Sequence, residues 1–179
     1  IMDTVGDGVV DNVTHAKSAI HNAASGTVVL NGGSYTRSAE TGQNAEDSGK
    51  NSFYNIQNYG DMTINEGVTV KQNGAYSSLI ENGYYDGTQK DEGSPAPTMV
   101  INGGTFSGGL NTIKNDDWGV LQINGGSFEN IAQSAVLNWN EATISGGYFE
   151  TEAGATSSVI LNGSTGTSDH PGMDQGKLE

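Results

Sequence analysis

Short runs of alternating apolar and polar residues recur along the chain and end in Asn or glycine turns. Runs of this length, rich in Val, Ile and Thr, are typical of β-strands. One family has an apolar strand followed by a polar residue and a glycine turn: 27–35, 62–68, 99–106, 121–128 and 142–149. In its last three members Ile101, Ile123 and Ile144 lie 22 and then 21 residues apart. Such a period predicts stacked structural repeats.

A second family of apolar runs alternates with the first, and its members end in Asn: 54–58, 78–82, 111–115, 135–138 and 158–162. Each lap then holds two or three short strands with Asn or Gly at the corners, the pattern of a parallel β-solenoid. Equivalent residues of successive laps stack about 4.8 Å apart, so corner Asn amides can bond the Asn above and below. The aromatic residues after the glycine turns are predicted to stack inside: Tyr35, Phe106, Phe128 and Phe149.

The predicted fold class is all-β, a right-handed parallel β-helix of about five to six rungs with a short N-terminal capping helix. Val13, Ala16, Ala19 and Ile20 stand at helical spacing and predict that helix. The predicted divisions are an N-terminal extension (1–9), the cap helix (10–26), the β-solenoid (27–163) and a C-terminal tail (164–179). The tail either folds over the last rung or marks a cut from a longer protein, and whether its end is natural stays open.

Two stretches carry a resemblance to known proteins. SAIHNAASGTVVLNGGSYT, residues 18–36, resembles the opening of pectate-lyase-like right-handed β-helices. INGGTF, INGGSF and ISGGYF resemble rungs of β-helix regions in large bacterial surface proteins of the adhesin type, often from gut Gram-positive bacteria. The resemblance covers about residues 10 to 162 and implies the fold. The resemblance does not define an activity, because lyases, hydrolases, phage tailspikes and adhesins all have this fold. The function has to be argued from the residues of a particular site.

The composition narrows the classes of partner. The chain has 7 basic and 21 acidic side chains and a formal net charge of −14, which disfavours nucleic acid and anionic lipid. No apolar run approaches the roughly 18 residues of a membrane span. Cysteine is absent, which excludes disulfides and thiolate chemistry.

An enzyme would need acid, base or nucleophile groups on the rungs. Lys114, Asp116, Asp117 and Glu141 are the candidate catalytic residues for that case, since lyases of this fold resemble one another in using a basic proton abstractor. Glycoside hydrolysis needs two carboxyl groups roughly 5 to 10 Å apart. Such distances arise by accident between stacked rungs, and the ordinary interpretation of Lys114 beside two Asp is a surface charge cluster. We therefore expect no catalysis.

One corner brings an aromatic ring and a carboxylate together in four successive laps. The candidate ligand-binding residues are Tyr59, Asp61, Tyr84, Tyr85, Asp116, Asp117, Trp118, Trp139, Asn140 and Glu141. Aromatic faces beside polar groups suit sugars. The alternative is that the rings pack on one another as scaffold. Gly60, Gly83 and Gly119 beside the rings favour open turns and exposure.

A possible calcium site lies in the loop after the second of these corners. Asp86, Asp91 and Glu92 place oxygen ligands close together, and calcium takes six to eight oxygens. The spacing matches neither an EF-hand nor the nonapeptide repeat, so a solvated acidic loop is the alternative.

These observations favour a non-catalytic module of a bacterial surface protein, extracellular or on the cell surface, for adhesion or glycan binding. Its expected partner is a polysaccharide or glycan, or a surface protein, with no cofactor unless calcium binds. We expect a monomer. The alternatives are a structural spacer, a phage tail-fibre segment, which should be a trimer, and a small lyase or hydrolase.

Overall fold

The computed structural model describes residues 2–4, 8–11, 17–37, 54–75, 77–84, 93–152, 158–163 and 176–179. Within these ranges the regular secondary structure is 19 short β-strands, β1 to β19 in chain order, arranged in three parallel sheets.

Each sheet contains every third strand of the chain, and its strands lie side by side in chain order. Sheet A consists of β1 (Met2–Thr4), β4 (Thr27–Leu30), β7 (Asp61–Ile64), β10 (Thr98–Ile101), β13 (Val120–Ile123), β16 (Glu141–Ile144) and β19 (Lys177–Leu178). Sheet B consists of β2 (Val9–Asp11), β5 (Gly33–Arg37), β8 (Val68–Gln72), β11 (Thr105–Ser107), β14 (Ser127–Asn130) and β17 (Tyr148–Thr151). Sheet C consists of β3 (Ile20–Asn22), β6 (Ile56–Asn58), β9 (Ile80–Asn82), β12 (Asn111–Asn115), β15 (Ser134–Asn138) and β18 (Ile160–Asn162).

Three consecutive strands therefore form one rung, and successive rungs stack in parallel. The chain is a parallel β-helix of about six rungs, as the repeat predicts. Ile101 pairs with Ile123, and Ile123 with Ile144, in the register expected from their spacing.

The core is a set of columns of like side chains that run along the helix axis. Phe106, Phe128 and Phe149 stack in sheet B with successive ring centroids 4.8 Å apart and nearly parallel planes. Phe106 and Phe128 are fully buried, and Tyr35 is buried in the same column, two rungs away from Phe106. This confirms the predicted stack for the three Phe. Tyr35 lies inside as predicted, but Val70 separates it from Phe106.

Two asparagine ladders hold the corners. At the corner from sheet C to sheet A, the side-chain amides of Asn22, Asn58, Asn82, Asn115, Asn138 and Asn162 are joined in sequence by hydrogen bonds of 2.7 to 2.8 Å. A shorter ladder at the corner from sheet A to sheet B joins Asn31, Asn65, Asn102 and Asn124. The predicted bonding of each Asn to the one above and below is confirmed.

The predicted capping helix at 10–26 is wrong where the structure describes this segment. Val9–Asp11 and Ile20–Asn22 are strands that pair with β5 and β6. Strand pairing with the next rung satisfies the backbone and overrides a local pattern at helical spacing. Residues 12–16, which include Val13 and Ala16 of that pattern, lie outside the described residues.

The solenoid also extends beyond the predicted 27–163. The segment predicted as an N-terminal extension contributes β1, which pairs with β4. The segment predicted as a tail contributes Lys177–Leu178, which pairs with Glu141 and Ala142 of β16. Both segments add strands to sheet A.

Candidate functional site

The candidate site lies at the corner where the chain passes from sheet C to sheet A. Four of the ladder Asn are followed directly by short segments that the structure describes: Tyr59-Gly60, Gly83-Tyr84, Asp116-Asp117-Trp118-Gly119 and Trp139-Asn140. Because equivalent strands stack in register, these turns line up along the axis over four rungs. We call Tyr59, Tyr84, Trp118 and Trp139, with Asp61, Asn140 and Glu141 beside them, the corner row.

The rings of the corner row pack against one another. Tyr59 and Tyr84 are stacked with centroids 4.6 Å apart and an interplanar angle of 7°. Tyr84 meets Trp118 edge to face at 6.0 Å, and His21 meets Tyr59 in the same manner at 5.3 Å. Tyr84 is only 5% exposed, whereas Tyr59, Trp118 and Trp139 are half-buried. Three rings of the row therefore retain surface that a ligand could contact.

The glycines of this corner do not mark open turns, so that interpretation of the sequence is wrong. Gly60 and Gly119 are buried beneath the preceding rung. A Cβ at Gly60 would lie 2.4 Å from the carbonyl oxygen of Gly26, and one at Gly119 would lie 2.3 Å from that of Asn82. Close approach of stacked backbones, and not exposure of the rings, requires glycine here.

Trp118 has an uncommon backbone conformation. Its φ is +61°, and among the described residues it is the one non-glycine residue with positive φ. The left-handed region is costly for a bulky side chain, about 1 to 3 kcal/mol, and persists where the surroundings impose it. Its half-buried indole is thereby held at the turn between Asp117 and Gly119.

Asp116 and Asp117 lie beneath the corner row and not on its surface. Their side chains are buried, with 0% and 1% exposure. Asp116 forms an ion pair of 2.5 Å with the ammonium group of Lys114, which also lies 4.4 Å from the ring centroid of Trp139. Of the four candidate catalytic residues, the structure thus brings Lys114 and Asp116 into contact beneath the surface.

The accessible polar groups of the row are Asp61, Asn140 and Glu141. Asp61 accepts a hydrogen bond of 2.6 Å from the hydroxyl of Thr98, and Asn140 donates one of 2.9 Å to the carbonyl of Gly119. Glu141 is exposed and lies 3.3 Å from the ammonium of Lys177.

The exposed carboxylates Asp61 and Glu141 are far apart. They begin β7 and β16 in the same register, separated by three strand spacings. Three spacings are about 14 Å, beyond the roughly 10 Å that two carboxyl groups span across a glycosidic bond. Tyr85 and the possible calcium ligands Asp86, Asp91 and Glu92 lie outside the described residues.

A column of polar residues in sheet C, buried at Gln57 and Glu81, is a further feature of this corner that the sequence pattern did not bring out. His21, Gln57, Glu81 and Lys114 are register partners in the middle of successive sheet C strands. Gln57 contacts His21 at 2.8 Å and donates a hydrogen bond of 2.7 Å to Glu81. Aligning the runs at 54–58, 78–82 and 111–115 places Gln57, Glu81 and Lys114 in one column, which was the available signal.

Glu81 is the most perturbed ionisable group of this column. Its side chain is fully buried, and this burial, followed by the negative charge of Asp116, raises the pKa of Glu81 well above its ordinary value of 4.5. The hydrogen bond from Gln57 and the charge of Lys114 oppose the rise in pKa. The charges of Asp116 and Lys114 therefore act on a buried carboxyl group close to the corner row.

Within the described ranges, no group of three or more His, Asp or Glu side chains could hold a metal ion. In the same ranges, no helix is long and apolar enough to cross a membrane.

Comparison of the chain with protein-family models, curated proteins and solved structures gave no match in any of the three. The functional argument therefore starts from the geometry of the corner row.

Proposed function

We propose that this chain is a non-catalytic, adhesin-type module of a bacterial surface protein that binds a glycan or polysaccharide through the corner row. The observation that carries the proposal is Trp118, a half-buried indole held at positive φ. Asn or Gly would form the same turn at lower cost. A costly ring at a surface corner suggests that the ring itself is used.

The chemistry of the row suits a sugar ligand. Indole rings contact the C–H faces of pyranose rings, while amide and carboxylate oxygens take the hydroxyl groups. Trp118 and Trp139 turn the chain in neighbouring rungs, with Asn140 and Glu141 directly after Trp139. Successive rungs repeat at about 4.8 Å, so Asp61 and Tyr59 would extend the contact along a chain of several sugar units.

A structural spacer is the second candidate, and a specific observation favours it. The faces of Tyr59 and Tyr84 cover each other, Tyr84 is buried, and Asp116 is paired with Lys114 beneath the surface. These contacts stabilise the corner without a ligand. A spacer needs no recognition surface and would tolerate loss of the half-buried rings.

The deciding experiment is a glycan and polysaccharide binding screen with and without calcium, since the loop with Asp86, Asp91 and Glu92 stays a possible calcium site. The wild type is compared with a Trp118→Asn, Trp139→Ala double variant. Asn tolerates the left-handed conformation, so the change removes the ring without adding backbone strain.

The matched control is Tyr148→Ala, which removes an exposed ring from sheet B, on another side of the solenoid. Binding that the double variant loses and the control retains, with the circular dichroism spectrum unchanged, supports a recognition site. Binding that survives in the double variant contradicts the proposal. Absence of binding in the wild type would favour the spacer.

A further inference from the structure

Charged side chains lie on the outer face of sheet C, next to the corner row. Glu81 and Lys114 are register partners on β9 and β12. Their strand neighbours Ile80 and Ile113 belong to the core, so Glu81 and Lys114 both project from the opposite face of the sheet. Glu81 is nonetheless fully buried, and the side chain of Lys114 is 12% exposed. A carboxyl group and an ammonium group therefore share one face of the sheet on adjacent strands.

Lys114 is already engaged by two other groups. Its ammonium group forms the ion pair with Asp116 and lies 4.4 Å from the ring centroid of Trp139. Asp116 is buried, and its Oδ1 accepts a hydrogen bond of 2.9 Å from the backbone N–H of Asp117. Lysine has a flexible four-carbon chain, so the ammonium group is the part of this arrangement that can move.

Glu81 is fixed from the other side. Gln57 donates a hydrogen bond of 2.7 Å to its carboxyl group and one of 2.9 Å to the hydroxyl of Tyr59. Burial, followed by the negative charge of Asp116, raises the pKa of Glu81, so its carboxyl group stays protonated at a pH at which an exposed glutamate is ionised. The groups that act on it are Asp116, Gln57, Lys114 and Tyr54. When Glu81 ionises, a second buried carboxylate arises beside Lys114.

We propose that Glu81, Lys114, Asp116 and Trp139 form a proton-controlled switch in the corner row. With Glu81 protonated, the ammonium group of Lys114 stays against Asp116 and the ring of Trp139. With Glu81 ionised, the ammonium group moves between the two carboxylates and away from the ring. A contact with an aromatic face is weaker than a close pair with a buried carboxylate, so the second carboxylate decides where the ammonium group lies. The switch changes how Trp139 is covered, and it does not depend on the proposed binding of a glycan.

The test is a pH titration of the ¹³C,¹⁵N-labelled protein by NMR spectroscopy, between about pH 4 and pH 9. The Cδ resonance of Glu81 gives its protonation state, and we expect a midpoint above 4.5. The ring current of Trp139 shifts the Hε protons of Lys114 upfield while the ammonium group lies against the ring. We expect those protons to move downfield, and the indole N–H of Trp139 to shift, with the same midpoint as Glu81.

Three variants assign the change to this cluster. Glu81→Gln has the shape of the protonated side chain, so it should keep the upfield Lys114 resonance at every pH and remove the transition. Asp116→Asn removes a charge that raises the pKa of Glu81 and should lower its midpoint. Glu129→Gln, at an exposed carboxylate of β14, is the matched control and should leave both the midpoint and the transition unchanged.

A Glu81 midpoint at or below 4.5 would overturn the proposal, and so would Lys114 resonances that stay constant through that midpoint. The same holds if Glu81→Gln retains the transition. His21 contacts Gln57 at 2.8 Å and is followed in the same titration, since a change at Trp139 that follows His21 and not Glu81 would also contradict the switch. The wild type and Glu81→Gln decide the matter even if loss of the Asp116 charge prevents folding.

Discussion

Asn82 offers a sharp test of how much the buried asparagine ladder contributes to stability. Its side chain is fully buried and makes three hydrogen bonds. It accepts one of 2.8 Å from Asn58 and donates one of 2.8 Å to Asn115 and one of 3.1 Å to the carbonyl of Val120. Asn82→Ala removes all three bonds.

The expected loss follows from these contacts. Each bond contributes about 1 kcal/mol net, so the three contribute about 3 kcal/mol. Acceptors left buried without a donor add about 1 to 3 kcal/mol more, so we expect the free energy of unfolding to fall by about 4 to 6 kcal/mol. This is a large part of the 5 to 15 kcal/mol typical of a folded domain.

Asn102→Ala is the matched control for this change. Asn102 occupies the other ladder, bonds Asn65 and Asn124 at 2.8 Å each, and is exposed. Water can replace both partners, so we expect a loss of no more than about 1 kcal/mol. Urea unfolding followed by circular dichroism measures both variants, with the m-value as the check that unfolding stays cooperative. Losses within about 1 kcal/mol of each other would refute the argument that burial gives the ladder its strength.

Two further changes test the polar column and the aromatic stack. Glu81→Gln should make stability less dependent on pH: the raised pKa of Glu81 stabilises the folded state below about pH 4.5, and that contribution is lost as pH rises through the folded pKa. In thermal unfolding between about pH 4 and pH 9, the stability of the variant relative to the wild type should increase as pH rises. Parallel stability profiles of the two proteins would contradict the pKa shift. Phe128→Ala should cost about 3 to 5 kcal/mol in urea unfolding, because Phe128 is fully buried between two rings. Tyr148→Ala, an exposed ring on β17, should cost under about 1 kcal/mol, and equal costs would count against the stack as a stabilising element.

The corner row shows which parts of the site were predictable. Tyr59, Tyr84, Trp118 and Trp139 each follow a ladder Asn closely in the sequence, so stacking of equivalent residues was enough to place them at one corner. The burial of these residues was not predictable in this way. Asp116 and Tyr84 are buried. Whether a corner residue is buried or exposed depends on neighbouring rungs, whose residues are distant in sequence.

The N-terminal segment shows that a local pattern of apolar residues is not enough to predict secondary structure. Ala19 and Ile20 belong to a pattern with helical spacing, yet Ile20 lies in a strand paired with β6, 36 residues further along the chain. A short segment at a spacing compatible with both structures takes the one that its neighbour in space supports. The same reasoning explains why Lys177–Leu178, in a segment without a strand pattern, forms a strand beside β16.

The sequence by itself predicted the repeat, the parallel solenoid and the columns of Asn and Phe, because equivalent residues of successive laps stack on one another. Whether each lap has two strands or three was decided by the tertiary structure. Only the tertiary structure decided which polar groups are buried. Glu81, Asp116 and Arg37 are charged residues that composition assigns to the surface, and the stacking of rungs encloses all three. Enclosure depends on what lies above, below and beside each residue, and that information is distributed over rungs that are far apart in the sequence.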